Sequence, residues 1–366
     1  MMNAKRLISS MVFGIIFSGI ALYFTFKNIP LIAVYEYFKC INYWWAIPAV
    51  AVGIFSFVLR VIRWQIILLP VKRCSFRAAF HPLMIGFMLN CIMPGRVGEI
   101  ARPVIFCKKE KVPFSRVLAT VGAERIFDFI AMLLLFMVFI KTAHIDPDLS
   151  IPFGGYMLNQ AMLASIFSKT CWIALALIGM IFIISFSKTR LMLSRAINLS
   201  PDLLFMLTKK HKDRIRQSLC KKAVDILDHL AIGFEVLKSP SRIVYSMSLS
   251  IILWLLLGGS YYILSFGSPG IDLSFIQIST SMIIICFFII LPSVPGYWGL
   301  WEAGGTFGLM IFGVSEADAA GYTLVNHFIQ IFPVIIIGFI SSTVMGINII
   351  KAGSIDSDVA AELDQP

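Results

Sequence analysis

A chain of 366 residues that is 58% hydrophobic, 14% charged and has a mean hydropathy of +0.87 is too apolar for a water-soluble domain and is expected to be a polytopic membrane protein. Its formal charge of +11 does not point to nucleic acid, because the Lys and Arg residues lie between apolar runs, where they orient the chain against the lipid surface. Seven cysteines with no C-x-x-C pair and no metal-ligand spacing read as small apolar packing residues; no metal, cofactor or catalytic residue is predicted.

In chain order, Lys5 and Arg6 precede the apolar run Leu7 to Phe26, which is long for a secretory leader and reads as an uncleaved first helix with a cytoplasmic N-terminus in the cell membrane. A short outer loop, Lys27 to Tyr43, leads to a second helix, Trp44 to Leu69, and a basic inner loop with Lys72, Arg73 and Arg77. The next apolar stretch, Phe80 to Met93, is short for a span, ends in Pro94-Gly95 and is followed by Lys108, Lys109, Lys111 and Arg116. Basic segments on both sides predict a re-entrant hairpin over residues 79–107 that enters from the cytoplasm.

A helix from Arg116 to Ile140 closes a first membrane repeat, residues 1–140, and an outer loop with Asp146 and Asp148 plus a return helix from Cys171 to Phe186 occupy 141–187. Residues 188–242 carry twelve Lys or Arg against five acids and are predicted to be cytoplasmic, with an amphipathic stretch at Lys209 to Lys222 that lies on anionic headgroups or forms a solvated linker helix. The second half, 243–349, opens with a helix from Ile243 to Phe266. A second broken segment, residues 276–312, then contains "PSVPG", and a last helix runs from Tyr322 to Ile349 before a polar cytoplasmic tail, 350–366. The acids Glu316 and Asp318, with no base nearby, place the second broken segment as entering from outside.

The two broken segments echo each other: "PGRVGE" holds Pro94, Gly95, Gly98 and Glu99, and "PGYWGLWE" holds Pro295, Gly296, Gly299 and Glu302. Val112 to Arg125 spans the same distance as Val314 to His327. Entering from opposite faces, the two copies form an inverted repeat, so the predicted fold is all-α with six spanning helices and two re-entrant hairpins, the alternative being eight spanning helices.

A charge at the bilayer centre costs about 2.5–3.5 kcal/mol or more, so Arg96, Glu99 and Arg102 must pair or face water. Their spacing of three predicts mutual pairing on one helix face, where freed N–H groups and guanidinium forks suit a lipid phosphate. Asn90 precedes the break, placed to bond freed backbone groups or a headgroup, and Glu124, Arg125 and Asp128 form a second set, lining the same path or snorkelling to the interface. Arg60 and Arg63 are expected to snorkel to the cytoplasmic surface, the alternative being that they face inward and extend a positive cavity. Glu302 and His327 are the counterparts of Glu99 and Arg125, either as a proton-handling pair or as a packed, hydrogen-bonded histidine, and Trp298 and Trp301 are expected to anchor the second hairpin at the interface.

On "NCIMPGRVGEIARP", "VLATVGAERIFDF", "LPSVPGYWGLWEAG" and "GVSEADAAGYTLVNHFIQIFPVIIIG", within residues 40 to 348, the chain resembles the transmembrane region of lysylphosphatidylglycerol synthases, a region also found as stand-alone flippase-like proteins. The resemblance implies movement of a lipid between leaflets. It does not carry over lysyl transfer, which resides in a soluble domain expected to be absent here. Two departures stand out: Tyr297-Trp298 where small glycines are common, and Asn326-His327 where an arginine is usual.

The leading expectation is a lipid translocase whose substrate-binding residues are Asn90, Arg96, Glu99, Arg102, Glu124, Arg125, Asp128, Glu302 and His327, acting on membrane lipids with anionic or zwitterionic headgroups. A membrane-embedded enzyme is the weaker reading, since no H-E-x-x-H, paired His/Asp or nucleotide loop is present. A scaffold bound to a lipid-synthesis or glycan-synthesis partner is the third.

Overall fold

The computed structural model describes residues 29–143, 239–291 and 294–348 continuously, most of 15–27, and shorter pieces elsewhere, including 151–153, 156–158, 187–203 and 216–221. The protein is an all-α membrane protein. Residue 15 to residue 26 is helical where described. There follow α1 (Leu31–Cys40), α2 (Ala46–Leu68), α3 (Phe76–Ile92), α4 (Gly98–Glu110) and α5 (Phe114–Thr142). A three-residue antiparallel pair, β1 (Ile151–Phe153) and β2 (Tyr156–Leu158), precedes α6 (Ser187–Leu199). The second half holds α7 (Pro240–Ser265), α8 (Phe275–Phe288), α9 (Leu300–Met310) and α10 (Glu316–Val344). The expected return helix at 171–186 and basic stretch at 209–222 fall largely outside the described residues, as does the tail from 349 on.

Three described stretches, Tyr43–Leu68, Pro240–Ser265 and Glu316–Val344, are long and apolar enough to cross a membrane. Their outward faces are apolar, as on α10, where Phe328, Phe332, Ile336 and Ile340 stand exposed. By contrast α3, α4, α8 and α9 contain 17, 13, 14 and 11 residues. At 1.5 Å per residue each is about 16–25 Å long, short of the roughly 30 Å hydrocarbon layer.

Local sequence explains where these helices start. Ser75 accepts a hydrogen bond from the Ala78 N–H (3.3 Å) at the head of α3, Ser274 and Gln277 form a reciprocal capping box on α8, and Ser315 accepts from the Asp318 N–H (3.2 Å) on α10. The last cap corrects the expected start of the last helix: it begins at Glu316 and not at Tyr322, because Ser315 caps it and Glu316 and Asp318 complement its N-terminal dipole. The expected loop Lys27 to Tyr43 likewise contains α1, whose Val34, with the preceding Ile29, packs on Ala320 of α10.

The two halves repeat in order, with α2–α3–α4–α5 matched by α7–α8–α9–α10; α5 and α10 each have 29 residues. The equivalent helices α2 and α7 cross through stripes of small residues: Ala49, Gly53 and Ser56 on one, Ser246, Ser250 and Ser260 on the other. They run antiparallel, since the Ser260 hydroxyl donates to the early Ala49 carbonyl (2.8 Å) while Arg63, late in α2, donates to the Ser250 hydroxyl (2.6 Å). Antiparallel equivalents are what an inverted repeat requires.

Each break is built the same way. Gly95 and Arg96 have φ of 77° and 55°, Gly296 and Tyr297 have 74° and 63°, so two successive residues in the left-handed region stop one helix before the next begins. The legs of the first hairpin touch through glycine, because a Cβ on Gly98 would lie 1.8 Å from the Gly86 carbonyl oxygen. Gly98→Ala is therefore expected to force the legs apart at a cost of about 3 kcal/mol or more, read as a lower unfolding temperature in detergent; an unshifted temperature would mean the legs are not held in contact. The second break rests on the N-terminal helical segment, where Ser18 Oγ accepts from the Val294 N–H (3.2 Å) and a Cβ on Gly299 would meet the Ser18 carbonyl oxygen at 2.5 Å.

Candidate functional site

α2, α4 and α5 bring seven charged side chains into one network. Arg63, fully buried, donates to both Asp128 oxygens, with Nη2 2.9 Å from Oδ2 and Nη1 on Oδ1, and also lies 3.3 Å from Glu124. Arg102 grips Glu124 in fork geometry at 3.2 and 2.8 Å and stacks 3.6 Å above the Trp64 ring centre. Trp64 is itself fixed by its indole N–H on Thr120 Oγ1 (3.1 Å). Arg125 donates to Glu124 (3.0 Å) and faces Glu99 at 3.5 Å, and Arg60 lies 3.7 Å from Asp128. Four arginines against three carboxylates leave the network with a net charge of +1.

Sequence spacing placed Glu99, Arg102, Glu124, Arg125 and Asp128 in this region, but gave Glu99 and Arg102 the wrong partners. Arg96, Glu99 and Arg102 do not pair with one another. The left-handed residues at Gly95 and Arg96 delay the helix until Gly98, so Arg96 lies in the break, off the register of α4, and Glu99 and Arg102 each turn to α5 instead. Arg60 and Arg63 do not snorkel; both point inward, because on α2 they continue the stripe of Ala49, Gly53 and Ser56 that is buried against α7. The spacing of four, three, four and three along residues 49, 53, 56, 60 and 63 was the sequence signal for this. Asn90 sits beside Gly98 at the end of α3, and its Oδ1 makes no hydrogen bond among the described residues.

In the second half His327 and Glu302 are both fully buried and paired, Nδ1 to Oε1 at 2.5 Å. His327 Nε2 contacts the Gly296 carbonyl (2.8 Å), and Glu302 Oε2 accepts from the Gly299 N–H (2.7 Å), so the pair ties both glycines of the break to α10. Trp298 and Trp301 do not stand apart as interfacial anchors: both indoles pack on the imidazole, each 4.4 Å from it between ring centres, with Trp301 parallel to within 5°.

The repeat extends to these contacts. Arg125 and His327 are each the twelfth residue of a 29-residue helix, and each faces a glutamate, Glu99 or Glu302, from the short helix before it. Asp128 and Gln330 are each the fifteenth; Asp128 binds Arg63 of α2, and Gln330 donates to Ser260 of α7 (2.9 Å). The second half thus holds a largely neutral version of the charged first half.

The tips of the two broken segments adjoin. Arg96 donates to the Ile289 carbonyl (2.6 Å), its guanidinium lies 5.8 Å from the Tyr297 ring centre, and a Cβ on Gly296 would stand 3.3 Å from the Cys91 carbonyl oxygen. A family model described as the lysylphosphatidylglycerol synthase TM region matches residues 11–338. The chain belongs to this family. The match to the lysylphosphatidylglycerol synthase TM region spans both halves of this chain, including the charged network and the Glu302–His327 pair. No curated protein and no solved structure matches the chain.

Proposed function

We propose that this protein moves a phospholipid or lipid-linked headgroup between leaflets, the headgroup passing along the polar seam where the two broken segments meet while the acyl tails stay in lipid. Four helices too short to span suit a pair of re-entrant hairpins entering from opposite faces, the architecture in which discontinuous helices meet at a substrate site near the bilayer midplane. The observation that carries this reading is the junction of the tips through Arg96, Ile289 and Tyr297, with the buried network of α2, α4 and α5 directly behind it. The N-terminus is assigned to the cytoplasm of the cell membrane by its basic residues.

Reconstitution into proteoliposomes with a headgroup-labelled phospholipid, quenched from outside, tests the proposal. The parent protein should accelerate exchange between leaflets, and Arg96→Ala combined with Glu99→Ala should slow it by about tenfold, the effect of losing one charge-assisted contact of about 1.4 kcal/mol. Equal rates for the parent and the double variant would remove the seam from the pathway.

A further inference from the structure

Three carboxylates in the charged network are committed: Asp128 to Arg63, Glu124 to Arg102 and Arg125, and Glu99 to Arg125. Arg60 is not so provided. It is only 7% exposed, it makes no hydrogen bond among the described residues, and its Nη1 is 3.7 Å from Asp128 Oδ2, which already accepts from Arg63. Arg125 Nη1 approaches the same oxygen at 3.8 Å, again beyond hydrogen-bond length. Two guanidinium edges therefore converge on an acceptor that is already taken.

Both guanidiniums also flank the Phe87 ring, at 5.2 Å for Arg60 and 5.6 Å for Arg125. Phe87 gives both guanidiniums an apolar wall on one side, which strengthens their attraction for an anion there. Arg125 is 36% exposed at its side chain, so the pair is reached from that side, whereas Arg60 at 8% lies at the inner end. The network carries one uncompensated positive charge, which is costly in a desolvated setting unless an anion balances it.

We propose that Arg60 and Arg125 together hold one monoanionic phosphodiester against Phe87, each donating to a different non-bridging oxygen. One phosphodiester charge takes the network from +1 to zero, while a dianionic phosphate would overshoot. This rests on the lipid-translocation reading and narrows it: the group recognised is the diester common to phospholipids, and the headgroup beyond it is left outside the two guanidiniums.

The full-length protein in detergent micelles is titrated with dioleoylphosphatidylmethanol, whose head is a bare phosphodiester, with dioleoylglycerol, which lacks phosphate, and with inorganic phosphate, binding being read by native mass spectrometry. Dioleoylphosphatidylmethanol should bind at least about tenfold more tightly than dioleoylglycerol, and Arg60→Gln should remove that preference while Arg60→Lys keeps most of it. Arg125→Gln, at the exposed side, should weaken binding to a similar degree and serves if Arg60→Gln does not yield folded protein. Equal binding of dioleoylphosphatidylmethanol by the parent and the glutamine variants overturns the assignment, and so does full competition by inorganic phosphate at equal concentration. Arginine-dependent binding without leaflet exchange would keep the site and sink the translocase; exchange that persists in variants with unaltered binding would do the reverse.

Discussion

Asp128→Ala is expected to destabilise the protein by about 3–5 kcal/mol, the cost of leaving a buried charge without its partner. Arg63 is fully buried and depends on Asp128 for two hydrogen bonds; without it, only Ser250 and the more distant Glu124 remain. Arg60 loses its nearest carboxylate at the same time. Thermal unfolding in detergent should show a large fall for Asp128→Ala and a smaller one for the double variant Arg63→Met with Asp128→Leu, because the double variant leaves only Arg60 without its carboxylate where the single one strands Arg63 as well. If the double variant melts as low as the single one, the penalty comes from lost packing and the electrostatic account of the network is wrong.

Much of this architecture is legible in the sequence because membranes simplify the rules. Apolar runs mark α2, α5, α7 and α10 to within a few residues, except where a cap extends α10 back to Glu316. Pro-Gly at 94–95 and 295–296 marks both breaks, since nothing else in an apolar helix halts it so abruptly. Partners were harder to read. Spacing of three made Arg96, Glu99 and Arg102 look like a self-paired set, yet spacing along one helix says nothing about a neighbouring helix that offers better acceptors. Glu124 drew Arg102 away because it is wholly buried, and its ion pair there is shielded from water.

Arg60 and Arg63 show the opposite failure. Their position near the end of α2 favoured snorkelling, a rule about where a long side chain finds water; the small-residue stripe leading to them is a rule about which face meets another helix. The second rule prevails because α7 covers that face. The likeness between halves was visible as Glu99 and Arg125 beside Glu302 and His327. The counterpart of Arg63–Asp128, a hydrogen bond between Gln330 and Ser260, was not, since those residue types share no charge with their equivalents.

His327→Ala is expected to cost about 3–5 kcal/mol by leaving Glu302 buried without its partner, whereas His327→Arg should retain most of the stability. Both ring nitrogens of His327 face acceptors, the Glu302 carboxylate at 2.5 Å and the Gly296 carbonyl at 2.8 Å. A replacement meets both acceptors only by reaching them from two donor sites. Guanidinium supplies the two donors permanently and is planar enough to lie between the indoles of Trp298 and Trp301. Alanine supplies neither donor and releases the Gly296 carbonyl, which loosens the second break where it packs on Cys91. Site-resolved maleimide labelling of native Cys91 should then be faster in His327→Ala than in the parent and near the parental rate in His327→Arg. Labelling as fast in the arginine variant as in the alanine variant would show that the fit of the imidazole between two tryptophans, and not its pair of hydrogen bonds, holds the break closed.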